Sequence, residues 1–233
     1  MGAVFIAALV FTLAIGVTLA TKENVFARLI DDLFDDAGYA KVAIPMKKPA
    51  GKSSNINSIN VAVGVSVISM DLAPRGVLSA STWLRTSWED YRLQWDPNQY
   101  EGLDKINIPS SRVWKPDLSV YNAADFGAGS FQNLYDSDIT NVLVYSTGKV
   151  LWIPPLPMKV NCNKDEVLMG ADENEPQGCN IIVGSWTYDG FHLNLTAYGG
   201  EEYLELGDFA KNYPICDQVS GGRRHEDQIL FLL

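Results

Sequence analysis

The chain's capacity for chemistry is set by a few residue types. It holds three cysteines, two histidines and six tryptophans in 233 residues. Two histidines with no close Cys/His spacing are too little for a zinc site, so neither a metal nor a cofactor is expected. Carboxylates such as Glu89 and Asp90 could be enlisted for hydrolysis. No paired-acid, Ser-His-Asp or Cys-His arrangement supports them, so an enzyme is not expected. With 28 acidic against 18 basic side chains the formal net charge is −10. That excludes nucleic acid as a partner, because phosphate binding needs clustered Lys and Arg. Cys162 and Cys179 flank sixteen mostly polar residues. A bridge between them would close a modest loop and contribute ~3 kcal/mol on a chain-entropy account. Cys216 would then be left over, buried as a small apolar residue or paired between chains.

Whether cysteines pair depends on compartment. Met1 to Ala20 carry no charge, and 16 of the 20 are apolar. The run Val4–Leu13, followed by small residues and ending Thr18-Leu19-Ala20, reads as a secretory signal over residues 1–20. The other reading, a membrane anchor, lacks basic residues after it to stop transfer. A mature chain of residues 21–233 is therefore expected, secreted into an oxidising, extracellular setting. No later stretch approaches 18 apolar residues, so no membrane-spanning segment is expected in it.

The elements that must position any site follow from periodicity. Val25, Phe26, Leu29, Ile30, Leu33 and Phe34 form one stripe opposite four aspartates, which predicts an amphipathic helix over 23–39 with Gly38 as its stop. Residues 45–58 read as a loop. From Ile59 to Val67 the period becomes two, a half-buried strand. Further strand-like runs are Val77–Trp88, Tyr91–Trp95, Val142–Ile153, Asn180–Trp186, Phe191–Tyr198, Tyr203–Phe209 and Gln228–Leu233. Turn signals separate them, and no repeat or low-complexity segment occurs. The reading is all-β: one N-terminal α-helix, then a β-sandwich or barrel.

Four runs stand in a telling order. Trp83-Leu84-Arg85-Thr86-Ser87-Trp88 leads to Leu93-Gln94-Trp95. Ile108-Pro109 precedes Val113-Trp114-Lys115-Pro116-Asp117-Leu118-Ser119-Val120-Tyr121-Asn122. Gly148-Lys149-Val150-Leu151-Trp152-Ile153-Pro154-Pro155 follows, and Cys162…Cys179 runs into Gly184-Ser185-Trp186-Thr187-Tyr188-Asp189-Gly190. Over roughly residues 23–233 the chain resembles the extracellular ligand-binding domain of the pentameric Cys-loop receptors, nearest the nicotinic branch and the soluble acetylcholine-binding proteins. The resemblance implies an immunoglobulin-like ten-strand sandwich, a Cys162–Cys179 disulfide, five subunits in a ring and small-molecule sites between neighbours. Nothing follows Leu233, which points toward the soluble binding-protein type. The loop between Cys162 and Cys179 agrees. It carries Asp165, Glu166, Asp172, Glu173 and Glu175 where receptors keep an apolar loop that docks on the membrane domain.

In this family an aromatic box receives a cation on its ring faces. Carried over by motif, Tyr121 and Trp186 would form the principal face. Trp83 would stand on the complementary face of the next subunit, with Leu143, Leu151 and Ile153 as an apolar wall. Trp88, Trp95, Trp114 and Trp152 are read as core. The departures are as informative. Cholinergic members carry adjacent cysteines and two flanking tyrosines on a closing hairpin; here no Cys-Cys pair exists. Counted back from the last strand, the hairpin tip falls on Val219 to His225, with Gln218 and His225 near the tyrosine places. A second register sets Tyr213 and Cys216 there instead. Either way at least one box aromatic is missing, and each lost cation–π contact forfeits ~0.5–2 kcal/mol.

Arg223 and Arg224 fall at the tip. Arg85, two residues after Trp83, shares the inward face of that strand. Aromatic-x-Arg resembles receptors for amino-acid transmitters, where the Arg holds a carboxylate. The expected partners are four further copies of the chain and a ligand that is anionic, zwitterionic or apolar rather than a quaternary ammonium. Two other readings stay open: an assembly protein that keeps the ring without transmitter binding, and the ectodomain of a channel subunit. Asn194-Leu195-Thr196 is a glycosylation sequon inside a predicted strand. Glu201 and Glu202 are read as a solvated acidic loop rather than an interface metal site.

Overall fold

The computed structural model describes residues 24–47, 58–73, 76–124, 140–162, 179–199, 204–206, 220–225 and 228–232. The expected signal segment, most of the 45–58 loop, the acidic loop after Cys162, Glu201, Glu202, Tyr213, Cys216 and Gln218 lie outside them. One helix, α1, spans Val25–Ile30 and runs on in π-helical form over Asp31–Asp36. Asn24 caps its start by accepting a hydrogen bond from the Phe26 amide at 3.0 Å. Gly38, at φ +65°, ends it as predicted. Leu29, Leu33 and Phe34 are buried while Phe26 stays exposed, so only one edge of the predicted stripe enters the core.

Twelve strands follow among the described residues, where ten were expected: β1 (Ile59–Ala73), β2 (Val77–Gln94), β3 (Lys105–Pro109), β4 (Leu118–Val120), β5 (Asn141–Tyr145), β6 (Thr147–Trp152), β7 (Pro155–Asn161), β8 (Asn180–Ser185), β9 (Leu193–Ala197), β10 (Leu204–Leu206), β11 (Ser220–His225) and β12 (Gln228–Leu232). The larger sheet runs β10-β1-β2-β6-β5-β3, with β7 also on β2 and β9 also on β1; the smaller runs β11-β12-β8-β4. The all-β reading holds.

β2 is the axis. The runs read as Val77–Trp88 and Tyr91–Trp95 are one strand of 18 residues. Its even-numbered residues from Leu78 to Trp88 are buried and face the sandwich core. Thr82 and Thr86 lie among them, and their hydroxyls donate to the Leu156 and Trp152 carbonyls at 2.6 and 3.0 Å. Trp88 and Trp114 meet edge to face at 5.8 Å. Trp88, Trp114 and Trp152 are buried and Trp95 is half-buried, in keeping with their assignment to the core. Strand β7 escaped the sequence reading because Pro155 and Pro157 argue against a central strand. It pairs with β2 as a side branch of the sheet, and its Leu156, Met158 and Val160 alternate into the core.

Past Glu89, β2 bulges: Glu89 pairs with Lys149, and the next pair is Gln94 with Thr147. Gly148 faces the bulge at φ +84°, where a Cβ would come within 2.6 Å of the Asp90 carbonyl oxygen. Inside the bulge lies Asp90, wholly buried. Its carboxylate accepts from Arg92 Nε and Nη2 at 2.8 and 2.7 Å and from the Tyr39 hydroxyl at 2.7 Å. The same hydroxyl accepts from the Trp114 amide at 2.9 Å. The cluster ties the segment after α1, the β2 bulge and the approach to β4 to one another. Burial, then the Asp90 charge, pushes the Tyr39 phenol well above its usual range.

Two outcomes follow. Asp90→Ala leaves the Arg92 charge without its partner and lowers stability by about 3–5 kcal/mol in chemical denaturation. Because the folded state holds the Tyr39 proton more tightly than the unfolded chain, this phenol's contribution is complete below about pH 10 and is lost as pH rises beyond it. Stability measured against alkaline pH falls there, and the fall is shallower in Tyr39→Phe.

Candidate ligand-binding site

Register alone brings together the five residues expected on the complementary face. On β2, Trp83 pairs with Ser66 and Pro155, Arg85 with Gly64, and Ser87 with Leu151; Leu151 in turn pairs with Leu143. Ile153 lies one residue past β6, in register with Arg85 between the pairs Thr86–Trp152 and Trp83–Pro155. Directly paired residues share a face, so Trp83, Arg85, Leu143, Leu151 and Ile153 all occupy one face of the larger sheet. That face corrects the expectation for Arg85: it points away from the sandwich core, because the buried set on β2 is the even-numbered one. Small neighbours, Ser66 and Gly64, leave space around the two large side chains. Trp83 is 47% exposed and Ile153 36%. Arg85, Leu143 and Leu151 are half-buried.

Tyr121 and Trp186 sit on the other sheet. Strands β4 and β8 pair antiparallel, Leu118 with Ser185 and Val120 with Val183, so Tyr121 and Trp186 start from opposite ends of the ladder and the Tyr121 ring reaches back over Gly184 toward Trp186. The Tyr121 and Trp186 rings stand edge to face at 6.3 Å and 81°. The Tyr121 hydroxyl donates to the Ser185 carbonyl, and its amide donates to the Ile182 carbonyl at 2.8 Å. Its ring lies directly over Gly184, where an added Cβ would come within 2.6 Å of Tyr121 Cζ. The Trp186 indole is 70% exposed. An exposed tryptophan holds one position only if its backbone is fixed, and Asp117 fixes it. The Asp117 carboxylate accepts from Ser185 Oγ at 2.5 Å, from the Thr187 amide at 2.8 Å and from Thr187 Oγ1 at 2.5 Å. Its carbonyl accepts from the Trp186 amide at 3.0 Å, and Ser185 Oγ accepts from the Tyr188 amide at 2.9 Å.

The sequence reading quoted Asp117, Gly184 and Ser185 within their motifs but gave them no role. Ser185 directly precedes Trp186 and Gly184 stands two residues before it, whereas nothing local marked Asp117. Phe191, 80% exposed five residues after Trp186, was also passed over.

Arg224 and His225 lie on β11, and the expected tip at Val219 to His225 is corrected. Ser220 pairs with Leu232 and His225 with Gln228, so Ser220 to His225 form a strand of an antiparallel pair rather than a tip. In an antiparallel hairpin the register decides where the turn falls. A shift between Arg223 and His225 leaves Arg224 at an irregularity in the ladder. The Cys162–Cys179 disulfide is formed, with Cα atoms 5.1 Å apart. Asn194 of the sequon lies on β9, where its amide donates to Asn60 Oδ1 at 2.7 Å. Among the described residues no cluster of three metal-ligating side chains occurs, and no helix is long and apolar enough to cross a membrane.

Exposed aromatics thus stand on both sheets, Trp83 on the larger and Tyr121 with Trp186 at the smaller, in a chain cross-linked by the Cys162–Cys179 disulfide. Residues 26–226 match the family model described as the neurotransmitter-gated ion-channel ligand binding domain. The chain belongs to that family. It is 34% identical over 187 residues to an acetylcholine receptor subunit beta-like 1 of Drosophila melanogaster, covering 79% of this chain and 33% of the relative. It is 35% identical over 170 residues to an acetylcholine receptor subunit alpha-type of Caenorhabditis elegans, covering 71% and 32%. It is 32% identical over 196 residues to the neuronal acetylcholine receptor subunit alpha-3 of Mus musculus, covering 82% and 36%. The chain thus spans about a third of the length of these relatives.

The bracing makes two predictions. Asp117→Ala removes three hydrogen bonds to a charged acceptor, lowering stability by about 2–4 kcal/mol and broadening the Trp186 indole N–H resonance. Gly184→Ala forces the Tyr121 ring aside at a cost of about 1–3 kcal/mol, read by thermal denaturation.

Proposed function

We propose that the chain is a secreted, homopentameric ligand-binding protein of the acetylcholine-binding-protein type, with small-molecule sites between subunits and a preference that is not cholinergic. The observation that carries this is the separation of the two aromatic half-sites. Tyr121 and Trp186 extend from the smaller sheet, while Trp83, Arg85 and Ile153 occupy the outer face of the larger one. An aromatic box built from both needs two copies placed head to tail, and a head-to-tail contact that closes makes a ring. The exposed Trp186 and the exposed apolar group around Ile153 are the surfaces such a contact would cover.

The ligand class follows from what surrounds the box. A quaternary ammonium would find Tyr121, Trp186 and Trp83, but one or two of the tyrosines that cholinergic members add are absent. Losing two such contacts weakens binding by about one to three decades. Arg85, beside Trp83 on the same face, instead offers a guanidinium fork to a carboxylate. His225 and Arg224 would approach from the closing hairpin.

Light scattering is expected to give five times the mass of the processed chain. Calorimetry is expected to place acetylcholine and nicotine weaker than micromolar, and a carboxylate-bearing transmitter such as γ-aminobutyrate is expected to raise the melting temperature more than either. A monomer in solution, or sub-micromolar acetylcholine binding, contradicts the proposal.

A further inference from the structure

The outer face of the larger sheet carries a second feature that the aromatic box does not use. Past the Ser87–Leu151 pair, Glu89 pairs with Lys149; Asn60, two residues before the Ala62–Ser87 pair that begins the β1–β2 ladder, pairs with Asn194 and lines the same groove as Glu89 and Lys149. Pro45 and Lys47 line these strands' open groove of about 390 Å³, within the range of small-molecule sites. Its lining includes the uncharged polar Asn60 and Thr196 together with Lys47, Glu89, Tyr91 and Lys149. The Lys47 ammonium stands 5.9 Å from the centre of the Tyr91 ring, which is 40% exposed.

Glu89 and Lys149 are directly paired across β2 and β6, a placement from which opposite charges ordinarily reach each other. Among the described residues neither has an ion-pair partner within 4.0 Å. The two charges border the groove instead of closing on each other. The groove therefore presents two ammonium groups and one carboxylate together with an exposed aromatic ring and uncharged polar side chains.

We propose that this groove binds a small zwitterion of amino-acid size. Its carboxylate lies between Lys47 and Lys149, its ammonium faces Glu89, and its apolar body rests on Tyr91. The site belongs to a single chain. Glu89 is six residues from Trp83, roughly 20 Å along the strand, so occupation does not depend on the assembly proposed above.

Phenylalanine titrated into the full chain, followed by NMR, tests this. Saturable binding at millimolar concentration or below is expected in the unaltered chain and in Trp83→Ala. A loss of tenfold or more is expected in Glu89→Gln and in Lys149→Met, both exposed positions where substitution costs little stability. Phenethylamine, which lacks the carboxylate, and phenylacetate, which lacks the ammonium, are each expected to bind at least tenfold more weakly. Absence of saturable binding overturns the proposal, as does an affinity that Glu89→Gln and Lys149→Met leave unchanged. Loss of binding in Trp83→Ala overturns it too, by moving the ligand to the aromatic box.

Discussion

The register of β2 is the constraint on which the rest depends. This one strand pairs with β1 along one edge and with β6 and β7 along the other. Its alternation assigns Leu84, Thr86 and Trp88 to the core and Trp83 and Arg85 to the opposite face. A slip of one residue would bury Arg85 and expose Leu84, exchanging the core and outer faces at once. Such a slip is opposed from several directions. The buried valines of β1 face even-numbered residues of β2, and two buried threonine hydroxyls find particular carbonyls. Asp90 in the bulge has partners only if the strand sits in this frame.

From that bulge a chain of polar contacts leads toward the exposed Trp186. Asp90 accepts from Tyr39, and Tyr39 accepts from the Trp114 amide. Three residues on, Asp117 clamps the backbone on both sides of Trp186. An indole that is mostly in water cannot be held by burial. Here it is held by a charged acceptor whose own segment is anchored in the core through Trp114. Pre-organisation of this kind removes ordering cost from the binding step. The close stacking of Tyr121 on Gly184 serves the same end.

Much of this was legible in the residues. Period-two alternation from Ile59 revealed the first strand and the stripe from Val25 revealed the helix, because both bury one face. Motif order carried Trp83, Tyr121 and Trp186. Other features were hidden for physical reasons. Pro155 and Pro157 disguised β7 because a proline signal is read locally, whereas its tolerance depends on which neighbours the strand has. The Gly221-Gly222 pair falls inside the expected hairpin tip, yet register with β12 places it within a strand. The face on which Trp83 and Arg85 point was not decidable by spacing alone. Spacing says that two residues share a side, and only the packed sheet says which side is the core. The contribution of Asp117 was invisible because its partners are 68 to 70 residues away.

The central claim is that the Trp83 and Trp186 surfaces complete each other between copies placed head to tail. Its most direct measurement is chemical crosslinking of a double variant, Ile153→Cys with Trp186→Cys, by a short bifunctional maleimide. The single variants serve as controls for Cys216. The account predicts a ladder of covalent oligomers ending at five, formed by the double variant alone. A product that stays at the mass of one chain, or stops at two, would contradict it.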